Sequence, residues 1–312
     1  MCFKSDVFIR NSVKELNNMS SAIDVNKLYK WCRISADKLE DHPDSRINLK
    51  IYDGKDEVSV AAGNMMADEV IENNKNGRPT KWVLPAGPMA QYATFAGRVN
   101  KEHISLKNVY VFQMDEFLDW QGRPFPVENN YFSLQGNMLA DFYGLIDDEL
   151  NVPEAQRFWP DINDVDAIDR KVEELGGVDT VYAGLGYKGL VAFCECPNSP
   201  YYTVTVDDFA KSKTRIVHLN EDTLIACSER DIGGLVHAIP PMAITIGFKS
   251  MLTAKKAVFM VTTGSWKRTA LRVLMFSDQT VEYPATIFPD HIPEVTVLCD
   301  RNTAQPPLVD QF

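Results

Sequence analysis

Short apolar runs and amphipathic stretches alternate along most of the chain. The stretch at 58–70 repeats apolar residues at helical intervals on one face, as expected for a helix packed on a sheet. The apolar runs are continuous, which is typical of strands buried on both faces of a parallel sheet. We predict such strands at 47–52, 81–84, 109–114, 180–183, 256–262 and 295–298. The alternation therefore predicts an α/β fold with a parallel sheet.

The first 46 residues lack this alternation. Apolar residues such as Leu28, Trp31 and Leu39 recur there at roughly helical spacing, and no strand-like run occurs before His42-Pro43-Asp44 breaks the pattern. We expect a helical N-terminal extension over 1–46, packed on the main domain or on a neighbouring subunit. An α/β domain over 47–312 follows it.

Composition narrows the class of partner. The 312 residues include 45% hydrophobic and 24% charged residues, as in an ordinary soluble globular protein. A formal net charge of -11 repels phosphate backbones and anionic lipids, so we expect neither nucleic acid nor membrane as a partner. The charged N-terminus and the lack of a long apolar stretch predict an unprocessed, cytoplasmic protein. The six cysteines are scattered, so we expect reduced thiols and no metal or other cofactor.

Two adjacent carboxylates follow the run at 109–114. Asp115 and Glu116 end the predicted strand and precede a further apolar stretch. Ligands bind at the carboxyl ends of strands in open α/β sheets, so these acids are candidate catalytic groups. The same pair is also typical of a solvated loop start or a helix cap. The pattern alone leaves both interpretations open.

Two glycine-containing turns follow predicted strands and open predicted helices. Such a turn is a natural anion site, because free N–H groups and the helix dipole point at the ligand. The turn at 85–88 is a poor one, since Pro88 has no N–H to donate and no hydroxyl lies in it. The turn at 263–268 keeps a hydroxyl, Ser265, and a cation, Lys267.

A third glycine-rich loop, 184–189, follows the strand at 180–183. Its three glycines allow the backbone to turn tightly and to approach a ligand. Glu195 lies just beyond it between apolar residues, where partial burial would raise its pKa into a range useful for proton transfer. The alternative is a glutamate that points outward or pairs with Lys188. The polar segment 220–237 contains glycine and is poorly periodic, which makes it a candidate lid.

The order of these motifs resembles that of the glucosamine-6-phosphate deaminase/isomerase family, which shares its fold with the 6-phosphogluconolactonases. The resemblance extends from about residue 47 to residue 303 and implies a modified doubly wound, mostly parallel sheet with helices on both faces. It is carried by Leu84-Pro85-Ala86-Gly87, Phe112-Gln113-Met114-Asp115-Glu116-Phe117, Gly184-Leu185-Gly186, Ala192-Phe193-Cys194-Glu195, Thr214-Arg215-Ile216, Ile244-Thr245-Ile246-Gly247, Gly264-Ser265-Trp266-Lys267 and Pro284-Ala285-Thr286.

The resemblance implies a site for a small sugar or sugar phosphate. Asp115 corresponds to the family base that moves a proton between C1 and C2 of an opened amino sugar, with Glu116 as its neighbour. Glu195 corresponds to the glutamate that works with an aspartate and a histidine to open the ring. Lys267 corresponds to a lysine that binds the phosphate. We therefore predict Asp115, Glu116 and Glu195 as catalytic residues. The predicted substrate-binding residues are Gly87, Met89, Gly186, Lys188, Gly189, Ser265 and Lys267.

The chain departs from the family pattern at two loops. Where the family has Asp, Gly and His, this chain has Lys188, Gly189 and Leu190, so the ring-opening histidine and its aspartate are absent. The phosphate turn, usually Thr-Gly-Ser-Thr, is Ala-Gly-Pro-Met at 86–89 and has lost its hydroxyls. A family phosphate arginine falls near Glu229, one place before Arg230. Losing two or three charge-assisted hydrogen bonds, each worth about 1.5–3 kcal/mol, weakens phosphate binding by orders of magnitude unless other groups replace them.

Two functions are consistent with these features. The first is an aldose-ketose isomerase with hydrolytic deamination, acting on a phosphorylated amino sugar in carbohydrate metabolism. The alternative is a catalytically impaired family member that binds a sugar or metabolite as a sensor, or assembles with partners. A lactonase is disfavoured, since that branch also relies on the missing histidine. We further expect a possible homo-oligomer.

Overall fold

The computed structural model describes residues 23–129, 131–197 and 201–307. The strands are β1 Asn48–Tyr52, β2 Thr80–Leu84, β3 Val109–Gln113, β4 Asp115–Leu118, β5 Arg157–Phe158, β6 Thr180–Gly184, β7 Arg215–His218, β8 Met242–Thr245, β9 Lys256–Val261 and β10 Glu294–Asp300. The α-helices are α1 Val25–Cys32, α2 Lys55–Lys75, α3 Gln91–Glu102, α4 Leu134–Asp141, α5 Ala167–Glu174, α6 Val206–Ala210, α7 Glu221–Ile232, α8 Phe248–Met251, α9 Arg268–Phe276, α10 Phe288–His291 and α11 Arg301–Ala304. Short 3-10 helices lie at Ala36–Lys38, Tyr143–Leu145, Glu154–Gln156, Tyr187–Gly189, Val236–Ala238, Ser265–Lys267 and Pro284–Ile287.

Within these residues, seven strands form one parallel sheet in the order β1-β10-β9-β6-β2-β3-β5. Successive side chains alternate between its faces, so Trp82 and Val83 enter different cores. Trp82 packs with apolar side chains of α2, α3 and α4, whereas Val83 packs with those of α5, α8, α9 and α10. Helices therefore cover both faces, and the predicted α/β fold with a mostly parallel sheet is confirmed.

A second, antiparallel sheet of three described strands, β4-β8-β7, lies beside the first. The chain enters it directly from β3, with Met114 as the connecting residue. Asp115 is the first residue of β4 and pairs with Thr245 of β8. The two acids after β3 thus begin a strand, where the sequence suggested a catalytic strand end, a loop or a cap.

The part of the predicted N-terminal extension that is described packs on α9. Arg272 of α9 donates from Nη2 to the carbonyl of Ile34 (2.7 Å) and to that of Ala304 (2.9 Å), which ties both ends of the described chain to one helix. Residues 1–22 lie outside the described residues, and the domain boundary at 46/47 stays a prediction. None of the described helices is both long and apolar enough to cross a membrane.

The poorly periodic polar segment 220–237 is mostly helical. It forms α7, which begins after Asn220 and ends at Gly233 in the left-handed conformation (φ 63°). Among its residues only Thr223 and Ser228 are buried, so the apolar stripe that marks most helices is weak. Acidic residues in its first turn, Glu221 and Asp222, favour a helix start electrostatically. The weak stripe explains why the sequence pattern did not reveal this helix, and its role as a lid stays a prediction.

Asp169 links α5 to the residue before β7 and to α8, and we predict that its removal destabilises the fold. The buried carboxylate accepts the backbone N–H of Thr214, next to β7, at 2.8 Å, and the hydroxyl of Ser250 in α8. Asp169→Ala leaves both donors buried without a partner, which costs about 1–3 kcal/mol of unfolding free energy. Urea unfolding measures this loss. Glu173→Ala on the exposed side of the same helix is the control, and an equal loss in both variants would contradict the assigned role.

Candidate active site

A cavity of about 440 Å³ opens at the carboxyl ends of the neighbouring strands β9, β6, β2 and β3. The turns after these strands and one side of α7 form its walls. This is the position at which open α/β sheets bind their ligands. The predicted site residues that line it are Gly87, Asp115, Gly186 and Lys267. Those that do not line it are Met89, Glu116, Lys188, Gly189, Glu195 and Ser265.

Asp115 is held on the cavity wall by a fixed backbone. The N–H of Met114 donates to the carbonyl of Leu84 (3.0 Å), and the carbonyl of Met114 accepts the N–H of Ile246 (2.8 Å), so the preceding residue bridges the two sheets. Asp115 is 7% exposed, and its carboxyl group has no hydrogen-bond donor among the described residues. Burial, followed by the nearby charge of Glu116, raises its pKa to about 8. Near neutral pH the group is therefore mostly protonated, and it becomes a base above that range.

Glu116 occupies a different environment from its neighbour. Its carboxylate accepts the backbone N–H groups of Phe117 (2.9 Å), Leu134 (2.8 Å) and Gln135 (2.8 Å). Two of these donors belong to the first turn of α4, so Glu116 caps that helix together with Ser133. Burial raises its pKa, although these hydrogen bonds oppose the shift. Its carboxylate thus connects β4 to α4, and its catalytic role stays a prediction.

Glu195 also serves a helix N-terminus. Its Oε1 accepts the backbone N–H of Asn220 at 3.1 Å, directly before α7. Burial raises the pKa of Glu195, while hydrogen bonds from Thr223 and Asn220 lower it. Thr223 lines the cavity but Glu195 does not, so the carboxylate lies one residue behind the wall. The trio of Asp115, Glu195 and Lys267 expected around one cavity is therefore reduced to Asp115 and Lys267.

The glycine loop after β6 lines the cavity with its glycine backbone, whereas its one charged side chain, Lys188, does not line it. A Cβ on Gly184 would lie 2.9 Å from Cδ of Pro88, so the loop and the turn after β2 require a glycine here to pack together. Lys188 points out of the cavity and forms an ion pair with Asp222 of α7 at 3.2 Å, not with Glu195. Gly189 has a positive φ of 67° and packs against Tyr283.

Lys267 and Arg230 form the cationic part of the wall. Lys267 is 6% exposed, and its ammonium group has no hydrogen bond or ion pair within the described residues. Burial, followed by the charge of Arg230, lowers its pKa to about 7. Arg230 donates from Nε and Nη2 to Asp231 (2.7 and 2.6 Å), which leaves Nη1 available to a ligand. An anion between the two cations would restore the charge of Lys267.

The turn at 85–88, after β2, offers no polar side chain to a phosphate, as its sequence indicates. Gly87 and Pro88 line the cavity, whereas Met89 packs against the core on the α2–α3 face of the sheet. Ser265 is exposed and does not line the cavity. Leu190, at the position of the family histidine, does line it. None of the five histidines, all of them in the described part of the chain, lies on its wall.

The sequence missed one wall of the site. Thr223, Cys227, Arg230 and Asp231 all reach the cavity from α7. Thr223 and Cys227 are four residues apart, and Arg230 and Asp231 follow Cys227 at three and four residues, which places them on one face of a helix. No helix was predicted for the segment, so this spacing went unused, although Arg230 was noted as a neighbour of the family arginine position. Among the described residues no group of three or more His, Cys, Asp or Glu is arranged to hold a metal ion.

The raised pKa of Asp115 has a measurable consequence for stability. Between about pH 4, where an unfolded aspartate titrates, and about pH 8, the folded chain holds an extra proton. The free energy of unfolding therefore falls as pH rises through this window. Asp115→Asn removes this effect, so the variant should gain stability over wild type progressively across the window, by several kcal/mol in all. Urea unfolding of both proteins at about pH 5, 7 and 9 measures the difference. A difference that does not change with pH would contradict the assignment.

Comparison with known proteins places these features in a family. No family model matches the chain. The glucosamine-6-phosphate deaminase of Caenorhabditis elegans is 30% identical over 231 residues, which cover 72% of this chain and 79% of that protein. Glucosamine-6-phosphate deaminase 2 of Homo sapiens is 27% identical over 262 residues, covering 82% and 88%.

Solved structures agree on the fold. A monomeric glucosamine-6-phosphate deaminase matches with a TM-score of 0.68 at 24% identity, covering 82% of this chain and 98% of that one. The 6-phosphogluconolactonase of Trypanosoma cruzi matches with a TM-score of 0.59 at 15% identity, covering 83% and 96%. The shared sheet, the order of the motifs and the extent of the identity to the nematode enzyme lead to one assignment: the chain belongs to the glucosamine-6-phosphate deaminase family.

Proposed function

We propose that this protein deaminates and isomerises a phosphorylated amino sugar of the glucosamine 6-phosphate type. The observation that carries the proposal is that Asp115 and the cationic pair Lys267 and Arg230 line the same cavity. Asp115 lies just after β3 and Lys267 lies in the turn after β9, and the strands β2 and β6 separate β3 from β9 in the sheet. Asp115 and Lys267 therefore stand at separate strand ends, as a sugar with its reacting carbons and its phosphate at opposite ends requires.

The chemistry follows from this placement. With the sugar opened and its phosphate on Lys267 and Arg230, ionised Asp115 removes the proton from C2, next to the C1 aldehyde. The C1 oxygen takes up the proton that the substrate ammonium group gives up, which leaves an enolamine. The same group returns the proton to C1, which leaves an imine at C2. Water adds to the imine, ammonia leaves, and a ketose phosphate remains. General acid–base help of this kind is worth about 10²–10⁴-fold in rate.

The protonation states of the free protein are unfavourable for this reaction. The pKa of Asp115 is about 8 and that of Lys267 is about 7, so between these values both groups are mostly neutral. The reaction needs both charged. A bound phosphate raises the pKa of Lys267, and a substrate cation near C2 lowers that of Asp115. Binding of the substrate thus supplies the charges that the empty cavity disfavours.

Ring opening is the step for which the chain is least equipped. Leu190 cannot transfer a proton, and the carboxylate of Glu195 is held by the N-terminus of α7. We infer that the protein takes the open form of the sugar from solution, so turnover is slow. The same observations favour the second candidate function, a sensor that binds the sugar phosphate without converting it. A cytoplasmic location and a homo-oligomeric state remain predictions.

The first test is direct turnover. Purified protein incubated with glucosamine 6-phosphate should release ammonia and fructose 6-phosphate in equal amounts, and Asp115→Asn should reduce the rate about 100-fold or more. Thermal shift with the same compound measures binding independently of turnover. Stabilisation without product above the Asp115→Asn level would reject the enzyme and favour the sensor. If the compound neither stabilises the protein nor is converted to product, both candidate functions are rejected.

The second test restores the missing acid–base group. Leu190→His places an imidazole on the cavity wall, at the position of the family's ring-opening residue. If ring opening limits the rate, kcat should rise about tenfold or more, because a positioned histidine transfers protons efficiently near neutral pH. Leu190→Gln, polar but not titratable, is the matched control. Equal rates in the two variants would show that ring opening is not the limiting step.

A further inference from the structure

Two aromatic side chains stand at the mouth of the cavity. The rings of Tyr187 and Trp266 are nearly parallel, with an interplanar angle of 26° and centroids 6.2 Å apart. Both line the cavity, and Tyr187 remains 42% exposed. The exposed part of the Tyr187 ring, beside Trp266, offers a planar surface for stacking at the cavity mouth.

The cations of the cavity adjoin these rings. The ammonium group of Lys267 lies 4.8 Å from the ring centroid of Trp266, and Arg230 lies close enough to Lys267 to lower its pKa. Lys267 has no hydrogen-bonding partner among the described residues, and Nη1 of Arg230 makes no hydrogen bond there either. Although the chain carries a net charge of -11, two cations that could bind a phosphate therefore lie beside the ring of Trp266.

A hexose phosphate alone leaves the apolar part of the wall unused. Sugar hydroxyls are bound by hydrogen-bonding groups, such as Thr223 and Thr262 on the wall, whereas Pro88, Leu190 and Ile239 offer none. A planar base suits such a surface, because stacking on an aromatic side chain requires no matching donors or acceptors. The ligand that satisfies both features carries a phosphate and a flat aromatic ring.

We propose that the cavity mouth binds a nucleotide, with its base stacked on Trp266 and Tyr187 and its phosphate on Lys267 and Arg230. The binding itself does not depend on the proposed deamination. Only the cations are shared, so a nucleotide and a sugar phosphate compete for them. A nucleotide would therefore act as a competitive inhibitor of the proposed enzyme or as the signal of a sensor.

Calorimetric titration of the full chain tests this with four probes: adenosine monophosphate, adenosine, inorganic phosphate and glucosamine 6-phosphate. Adenosine monophosphate should bind at least about tenfold more tightly than adenosine or phosphate. Trp266→Leu should weaken the binding of adenosine monophosphate about tenfold or more and leave the affinity for inorganic phosphate unchanged, because only the stacking contact is lost. Trp120→Leu, at an exposed tryptophan outside the cavity, is the matched control. Tyr187→Leu provides a second stacking variant if Trp266→Leu does not fold.

Two results would overturn the proposal. Adenosine monophosphate binding no tighter than phosphate would show that the base makes no contact. Equal weakening of nucleotide and phosphate by Trp266→Leu would show that the ring serves only to position Lys267. Either result leaves the deaminase proposal intact, because turnover of glucosamine 6-phosphate is measured without nucleotide. Conversely, nucleotide binding without turnover would reject the enzyme alone.

Discussion

A carboxyl group and an ammonium group are buried in one cavity, and neither has a hydrogen-bonding partner in the described protein. Burial of an unpaired charge is costly, so each group shifts its pKa towards the neutral form, Asp115 upwards and Lys267 downwards. Unpartnered titratable groups in a cleft are typical of functional sites, where the ligand supplies the missing partner. The strand ends of the parallel sheet surround both groups. Four neighbouring strands end at this cavity, and Met114 bridges the parallel and antiparallel sheets immediately before Asp115.

The other two carboxylates near the site, by contrast, accept hydrogen bonds from the backbone. Glu116 accepts three backbone N–H groups and caps α4, while Glu195 accepts the N–H that precedes α7. Both link an element of the site to a helix that covers it. Asp115 and Glu116 are both carboxylic acids, and they differ in their hydrogen bonding. Only the side chain of Glu116 accepts hydrogen bonds, and these fix the start of α4. Through its charge, Glu116 also keeps the pKa of Asp115 high.

Much of this was readable from the sequence. Continuous apolar runs identified six of the seven described strands of the parallel sheet to within two residues at each end, because burial on both faces leaves no room for polar side chains. The two-residue strand β5 at the edge of the sheet was not predicted. The carboxyl-end rule pointed to Asp115 and the glycine turn after β9 pointed to Lys267, and both side chains line one cavity. Their catalytic and binding roles stay predictions. Hydrogen bonds between residues distant in sequence were not readable. Glu195 and Asn220 meet only in the folded chain, and that contact helps to begin α7, the helix whose weak apolar stripe concealed Arg230 and Asp231.

A structure of the protein with glucosamine 6-phosphate bound tests the arrangement most directly. We predict the phosphate between Lys267 and Arg230 and C2 of the sugar within hydrogen-bonding distance of a carboxylate oxygen of Asp115. The alternative location is the groove at the opposite ends of the strands, lined by Asp68, Glu69 and Lys255. Sugar phosphate bound in that groove, with the cavity at Asp115 vacant, would contradict the proposed site.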